Sequence, residues 1–405
     1  MLSKLSEMSA WKKHVLGIAL IATLAIIIYS NTFDASFHFD DTPSIVENYA
    51  IHRFDLSEIF LKSSRPILDL TFALNYYFGK LDVFGYHLVN LALHIVNGIL
   101  LYFILFWTIN RVNSTNPKNP TNSINSNNSN NSNNFRIPLY ASLIFIAHPI
   151  QTQAVTYIVS RSSVLATTFY LLTLLLFIKG FQSNPTNSRN PINSRNSFFI
   201  GAFITSCLAM GTKQIAATLP VMLLIYDFYF ISKGNLSILK NHYKSHILMF
   251  SSVSIAIYLS FSGITTFVSF DYAQGIPMPQ TEPVTSFQYF LTQLHVIPYY
   301  IKLLFIPTNL NLDYDWPITR SIDFQTVLYF LMLTMIFFIA VFLFRRAKLI
   351  SFGIIWFFVT LSVTSSFIVI YDVIFEHRLY LPSIGFVMVI AFLISKISEL
   401  SLKKD

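Results

Sequence analysis

The sequence predicts an all-α, polytopic membrane protein, and three observations predict it. Hydrophobic residues make up 54% of the 405 residues and charged residues only 11%. The apolar residues come in runs of about fifteen to twenty, long enough for a helix to cross the hydrocarbon core and unlike the spaced stripe of a soluble amphipathic helix. Basic residues gather in alternate linkers, so the net charge of +8 reflects topology, and the partner it indicates is the lipid bilayer, with no nucleic acid.

Eleven apolar segments follow in order: 15–30, 86–107, 137–147, 162–178, 198–210, 215–231, 246–262, 287–306, 324–344, 349–370 and 379–395. The first lies behind Lys12 and Lys13 and lacks a small-x-small site after it, so it reads as an uncleaved signal anchor. The linkers with Arg111, Lys118 and Arg136, with Lys179, Arg189 and Arg195, with Lys233, Lys240 and Lys244, and with Arg345, Arg346 and Lys348 are assigned to the cytoplasm, together with the tail that holds Lys396, Lys403 and Lys404. The intervening linkers hold most of the nineteen acidic residues and face outward. With both termini inside, the number of crossings must be even. Segment 287–306, which contains His295, Pro298 and Lys302, is therefore read as re-entrant or surface-lying, which leaves ten crossings. The chain, 1–405, forms one transmembrane domain with an extended first outer loop, 31–85. Tracts rich in Asn, Ser and Pro at 110–135 and 182–197 read as disordered cytoplasmic linkers, because they cannot bury enough apolar surface to offset their entropy. The single Cys207 excludes an intrachain disulfide.

The outer side carries the chemistry. In "SFHFDDTPSIVEN" the adjacent carboxylates Asp40 and Asp41 are placed to act as a general base or to hold a cation, or else Asp41 or Thr42 caps a helix that Pro43 begins. Arg65, before Pro66, suits a phosphate, or anchors its segment at the membrane surface. His87, Asn90, His94 and Asn97 form one polar stripe, whose commonest use is to join helices by hydrogen bonds; two His residues seven apart are too distant for a usual metal pair. Further outer clusters supply His148 and Arg161, Lys213, and then Asp372, Glu376, His377, Arg378 and Tyr380. Cationic and imidazole groups gathered on one side with free carboxylates suit an anionic, lipid-linked substrate; a structural ion-pair network is the alternative. Asp41 is a candidate ligand for a divalent cation, and the sequence indicates no further cofactor.

The succession "FDDTPSIVEN", "RPILDLTFALNYYFG", "YHLVNLALHIVN", "HPIQTQAVTYIVSRSSVLA", "MGTKQ" and "EHRLYLPSIGF" resembles the membrane half of the transmembrane and tetratricopeptide-repeat-containing O-mannosyltransferases and their bacterial relatives, over about residues 15–395. The resemblance implies a GT-C fold with about ten to eleven transmembrane helices, in an enzyme that takes a sugar, mannose or a similar hexose, from a polyprenyl-phosphate donor. It implies a catalytic acidic pair at Asp40 and Asp41, and donor phosphate held by Arg65, with Lys213 and Arg378 assisting. His87, His148, Arg161, Glu376, His377 and Tyr380 are candidates for substrate contact. The acceptor is expected to be a hydroxyl of a protein or glycan, and the location a bacterial inner membrane with the site facing outward.

The sequence also departs from the family. No tetratricopeptide repeats follow Lys404, so a soluble acceptor-binding module is expected to be absent. Gln151, Gln153 and Gln214 stand where the animal members have His, Glu and Glu. Two other functions use the same basic cavity: a lipid-linked glycan polymerase or ligase, and a transporter of polyprenyl-linked glycan that needs no base.

Overall fold

The computed structural model describes residues 9–113, 130–182, 191–260, 284–370 and 372–401, whose regular structure is all helix, with no strand. The principal helices are α1 (Ala10–Tyr29), α2 (Pro66–Gly79), α3 (Val83–Asn113), α4 (Asn130–Ala147), α5 (Arg161–Gln182), α6 (Pro191–Met210), α7 (Leu219–Tyr226), α8 (Tyr243–Ser251), α9 (Ser286–Phe305), α10 (Phe324–Leu343), α11 (Lys348–Leu361) and α12 (Ser383–Ser401).

Six helical stretches among the described residues are long and apolar enough to cross a membrane: Ala10–Tyr29, Val83–Val112, Ile158–Gln182, Gln214–Ile231, Phe324–Leu343 and Ser383–Ser401. Each coincides with one of the eleven apolar segments. The lower number has local causes. The segments at 137–147 and 349–370 become shorter apolar helices, Asn134–Ala147 and Lys348–Leu361. The run at 246–262 is broken by a turn at Ser252, and residues beyond 260 lie outside those described. α6 begins in polar sequence, and α9 carries Gln288, Gln293, His295 and Lys302. The chain is an integral membrane protein on this composition. Helix extends into both expected linkers, to Asn113, from Asn130 and from Pro191; their centres, 114–129 and 183–190, lie outside the described residues.

α3 lies between α1, α4 and α5; α5 packs extensively on α6, and α12 on α11 and α4. Tyr102, Phe145, Phe177, Tyr226 and Trp356 fill the core between them. α11 and α12 meet at Gly353 and Gly385, where a Cβ on Gly385 would stand 2.2 Å from the Gly353 carbonyl oxygen. Only hydrogen side chains allow backbones so close, as at other small-residue crossings in membranes.

The polar stripe of α3 faces inward. Asn90 donates to the Val155 and Ile158 carbonyls at 3.2 and 3.3 Å, and Asn97 donates to the Val164 carbonyl at 2.9 Å and the Tyr380 hydroxyl at 3.0 Å. The His94 ring bonds the same hydroxyl at 2.7 Å. Arg161, the first residue of α5, is fully buried, and its hydrogen-bond partners among the described residues are uncharged. Its guanidinium donates to Asn90 Oδ1 at 2.7 Å, Asn75 Oδ1 at 2.6 Å, the Tyr86 carbonyl at 3.0 Å and Thr71, and lies over the Phe72 ring. These bonds fix α2, α3 and α5 to one another, and each charge-assisted bond offsets part of the desolvation of a buried cation.

Candidate active site

A cavity of about 840 Å³ opens between the first loop, the connector before α5, the connector after α6, the helical residues 253–260 and the segment leading to α12. Its lining includes the ionisable residues Asp40, Arg65, Lys213, Asp372, His377 and Arg378 and the apolar residues Val253, Ala256, Ile257, Val363 and Ile368.

Each polar group arrives by a local device. Phe39 has φ 44°, a left-handed conformation unusual for an aromatic residue, and it turns the chain so that exposed Asp40 reaches the cavity. The Asp40 N–H donates to the Tyr157 hydroxyl at 2.9 Å, and that hydroxyl also interacts with the Asp40 carboxylate. The loop is held further along by Ile67, whose N–H donates to the Gly211 carbonyl at 3.1 Å. A Cβ on Gly211 would meet Ile67 at 2.8 Å, so glycine at the end of α6 permits this docking and brings Arg65 beside Lys213. Arg65 precedes α2, with Pro66 in the first turn, where a missing N–H costs nothing.

Among the described residues the Arg65 guanidinium makes no hydrogen bond; only the charges of Asp69 and Asp40 favour it against the cost of burial. Lys213 is half-buried in extended backbone and donates to the Ser163 hydroxyl at 2.8 Å. Burial, and then the charges of Arg65 and Arg378, hold its ammonium well below the usual lysine range. Arg378 is more fully engaged. Its guanidinium donates to the Val373 carbonyl at 3.1 Å and to the Asp372 carbonyl, and stands over the Phe375 ring. The His377 ring stacks on Phe375, with centroids 5.0 Å apart, and burial together with Lys213, Arg378 and Arg65 pushes it well below the usual histidine range. The backbone N–H of His377 donates to Gln153 Oε1 at 2.6 Å, and the Gln153 side-chain amide donates in turn to the Leu312 carbonyl at 2.7 Å.

The other candidates have places outside the cavity lining. Asp41 is buried, and its two carboxylate oxygens accept the His38 N–H at 3.0 Å and the Val159 N–H at 2.7 Å. It does not cap the following turn, as one reading of the sequence expected; it fastens the first loop to the connector before α5. Burial raises its pKa and the two amide bonds lower it. His87 bonds the Ala35 carbonyl at 2.9 Å, and His148 bonds the Leu304 carbonyl at 2.9 Å. Glu376 is buried and accepts the Asn311 N–H at 2.6 Å and the Tyr314 hydroxyl, tying the loop after α9 to the cavity rim. Tyr380 joins the α3 stripe and Arg161 the α2–α3–α5 hub, as described above. Gln151 donates to Ser383 at 2.9 Å. No three His, Cys, Asp or Glu side chains among the described residues are grouped so as to hold a metal ion.

Sequence reasoning did not single out Tyr157 or the apolar wall at 253–260. Tyr157 carries no charge and lies in a run whose His, Gln and Arg residues draw attention first. The wall is indistinguishable in sequence from any lipid-facing helix.

No family model and no solved structure matches the chain. It is 26% identical over 428 residues to Protein O-mannosyl-transferase TMTC3 of Mus musculus, which covers 96% of this chain and 43% of the relative. The human TMTC3 protein gives 26% identity and the same coverage of both chains, and Protein O-mannosyl-transferase F38B6.6 of Caenorhabditis elegans gives 26% over 94% of this chain and 52% of the relative. The chain thus spans about half the length of these curated relatives. Over nearly all of its own length it resembles the transmembrane and tetratricopeptide-repeat-containing O-mannosyltransferases, the family to which its six ordered motifs point.

Proposed function

We propose that the protein is a membrane glycosyltransferase with a GT-C fold. It moves mannose or a similar hexose from a polyprenyl-phosphate donor to a hydroxyl of a protein or glycan acceptor, on the outward face of a bacterial inner membrane. The observation that carries this reading is the unbonded Arg65 guanidinium, set with Lys213 in a cavity that also exposes Asp40. A half-buried arginine with no hydrogen-bond partner for its guanidinium among the described residues is costly, and a bound anion relieves that cost. The apolar wall of the same cavity suits the lipid that carries the phosphate. The similarity to proteins named as O-mannosyltransferases supports the sugar and the acceptor.

In this reading Asp40 takes the proton of the acceptor hydroxyl as its oxygen attacks the anomeric carbon. The bond from that carbon to the phosphate oxygen breaks, and polyprenyl phosphate leaves with the electron pair. Arg65 and Lys213 face the developing charge, and Arg378, engaged with its own loop, adds a fixed positive potential. Phosphate departs readily, so charge stabilisation matters more than acid catalysis. Asp41 serves by holding the loop.

The test is sugar transfer from labelled polyprenyl-phosphate mannose to a hydroxyl acceptor by the purified protein in vesicles. Transfer that Asp40→Asn lowers about 10²- to 10⁴-fold supports the reading. Movement of the donor across the vesicle membrane, unaffected by Asp40→Asn and without sugar release, would identify a transporter.

A further inference from the structure

The Asp40 carboxylate stands on a loop, next to a residue in a left-handed conformation, with no helix of its own to hold it. A base in that setting samples several rotamers unless something outside the loop limits them. Tyr157 is 8% exposed, and its own N–H is bound to the Gln153 carbonyl at 3.2 Å, so its ring is fixed by the short connector before α5. That connector grips the loop at two successive residues: Val159 N–H on the Asp41 carboxylate, and the Tyr157 hydroxyl on Asp40. The phenol accepts the Asp40 N–H with a lone pair, and the charge of the Asp40 carboxylate acts on the same hydroxyl. Arg65, Asp41 and Asp372 also act on this carboxylate by charge, and among the described residues none of them donates a hydrogen bond to it.

We infer that Tyr157 is a positioning residue for Asp40, holding the backbone of that residue so that the base is presented to the cavity. This rests on the glycosyl-transfer reading above. Tyr157 also lines the cavity, so a direct contact to substrate is the competing role, and the two differ in what they do to binding and to turnover.

The experiment compares Tyr157→Phe, Asp40→Asn and the double variant in the full chain, reconstituted in vesicles, with labelled polyprenyl-phosphate mannose and a hydroxyl acceptor. A positioning role predicts that Tyr157→Phe lowers kcat about 3- to 10-fold, the effect of losing one neutral hydrogen bond, with donor affinity within about twofold of the parent. It also predicts that Tyr157→Phe costs nothing further once Asp40 is Asn, because the two act as one unit. Retained donor affinity certifies the fold of each variant. The inference is overturned if the same factor appears in both backgrounds, if the loss falls on the donor's KM, if donor affinity disappears along with turnover, or if Tyr157→Phe is silent. Normal transfer by Asp40→Asn would instead remove Asp40 as the base, which is a failure of the functional reading and is recognisable without Tyr157.

Discussion

Arg65 and Arg161 are both arginines near the same end of the helical bundle, and their surroundings are opposite. Arg161 is fully buried, and its Nε, Nη1 and Nη2 all donate to Asn90, Asn75, Tyr86 and Thr71. Arg65 lines an open cavity, where among the described residues its guanidinium makes no hydrogen bond and is favoured by the charges of Asp69 and Asp40. A satisfied guanidinium is part of the scaffold; an unsatisfied one has capacity left for a ligand. Arg378 falls between the two, lining the cavity while donating to two carbonyls of its own loop. The same division separates the neighbouring aspartates, since Asp41 is closed by two amides while Asp40 is exposed.

That contrast can be broken at several points. The largest effect is expected from the aspartates: Asp40→Asn should lower turnover about 10²- to 10⁴-fold, as for a lost general base, with donor affinity unchanged. Asp41→Asn should act mainly on stability, seen as a lower midpoint of thermal unfolding. A fall in turnover with unaltered unfolding in Asp41→Asn would erase the distinction between the two carboxylates.

Next in size is the hub. Arg161→Met removes a cation whose partners on α2 and α3 then remain buried and unbonded, at a cost of about 3 kcal/mol or more. Reduced yield of folded protein and a lower unfolding midpoint are the expected readouts; donor titration of the surviving folded fraction should match the parent. Arg65→Lys should do the reverse, raising the donor's KM about tenfold because an ammonium cannot reproduce the planar fork, with no change in unfolding. Arg378→Lys should raise KM less, and also lower stability, because its loop loses two carbonyl partners. An Arg65→Lys variant that binds donor normally would show that Arg65 anchors its segment at the membrane surface.

The smallest expected effect is a pH dependence. Burial and two neighbouring arginines lower the Lys213 pKa in the free protein, and a bound phosphate raises it again. Below the free-site value the lysine is charged in both states and affinity is flat. As pH rises between the free and bound values, binding must take up a proton, so donor affinity falls, by up to tenfold per pH unit. The fall should begin below the ordinary lysine value of about 10.4 and vanish in Lys213→Met. Titration of donor affinity against pH checks this, and an affinity that rises over that window would contradict it.

Much of this was legible in the chain. The six stretches able to cross a membrane appear in sequence as predominantly apolar runs, because a helix in hydrocarbon satisfies its backbone internally and takes polar side chains only where other helices bond them. The shorter helices were over-read, since a run such as 349–370 gives no sign that its helix ends at Leu361. Asp40, Arg65, Lys213, His377 and Arg378 could be selected as charged or ionisable groups in otherwise apolar surroundings, and the structure brings them to one cavity. Asp41, His87, His148, Arg161, Glu376 and Tyr380 carry the same signal, and the structure gives them protein partners instead.

Composition and the order of apolar runs therefore determined by themselves that this chain is helical and membrane-embedded, because the transfer of side chains into lipid is a property of each segment alone. Which polar groups remain open was decided only by the tertiary structure. Whether Arg65 or Arg161 is satisfied depends on Asn75, Asn90 and Tyr86 on other helices, and on Gly211 allowing the first loop to dock. Hydrogen bonds are short and directional, so their satisfaction is a relation between segments distant in sequence that no single segment encodes.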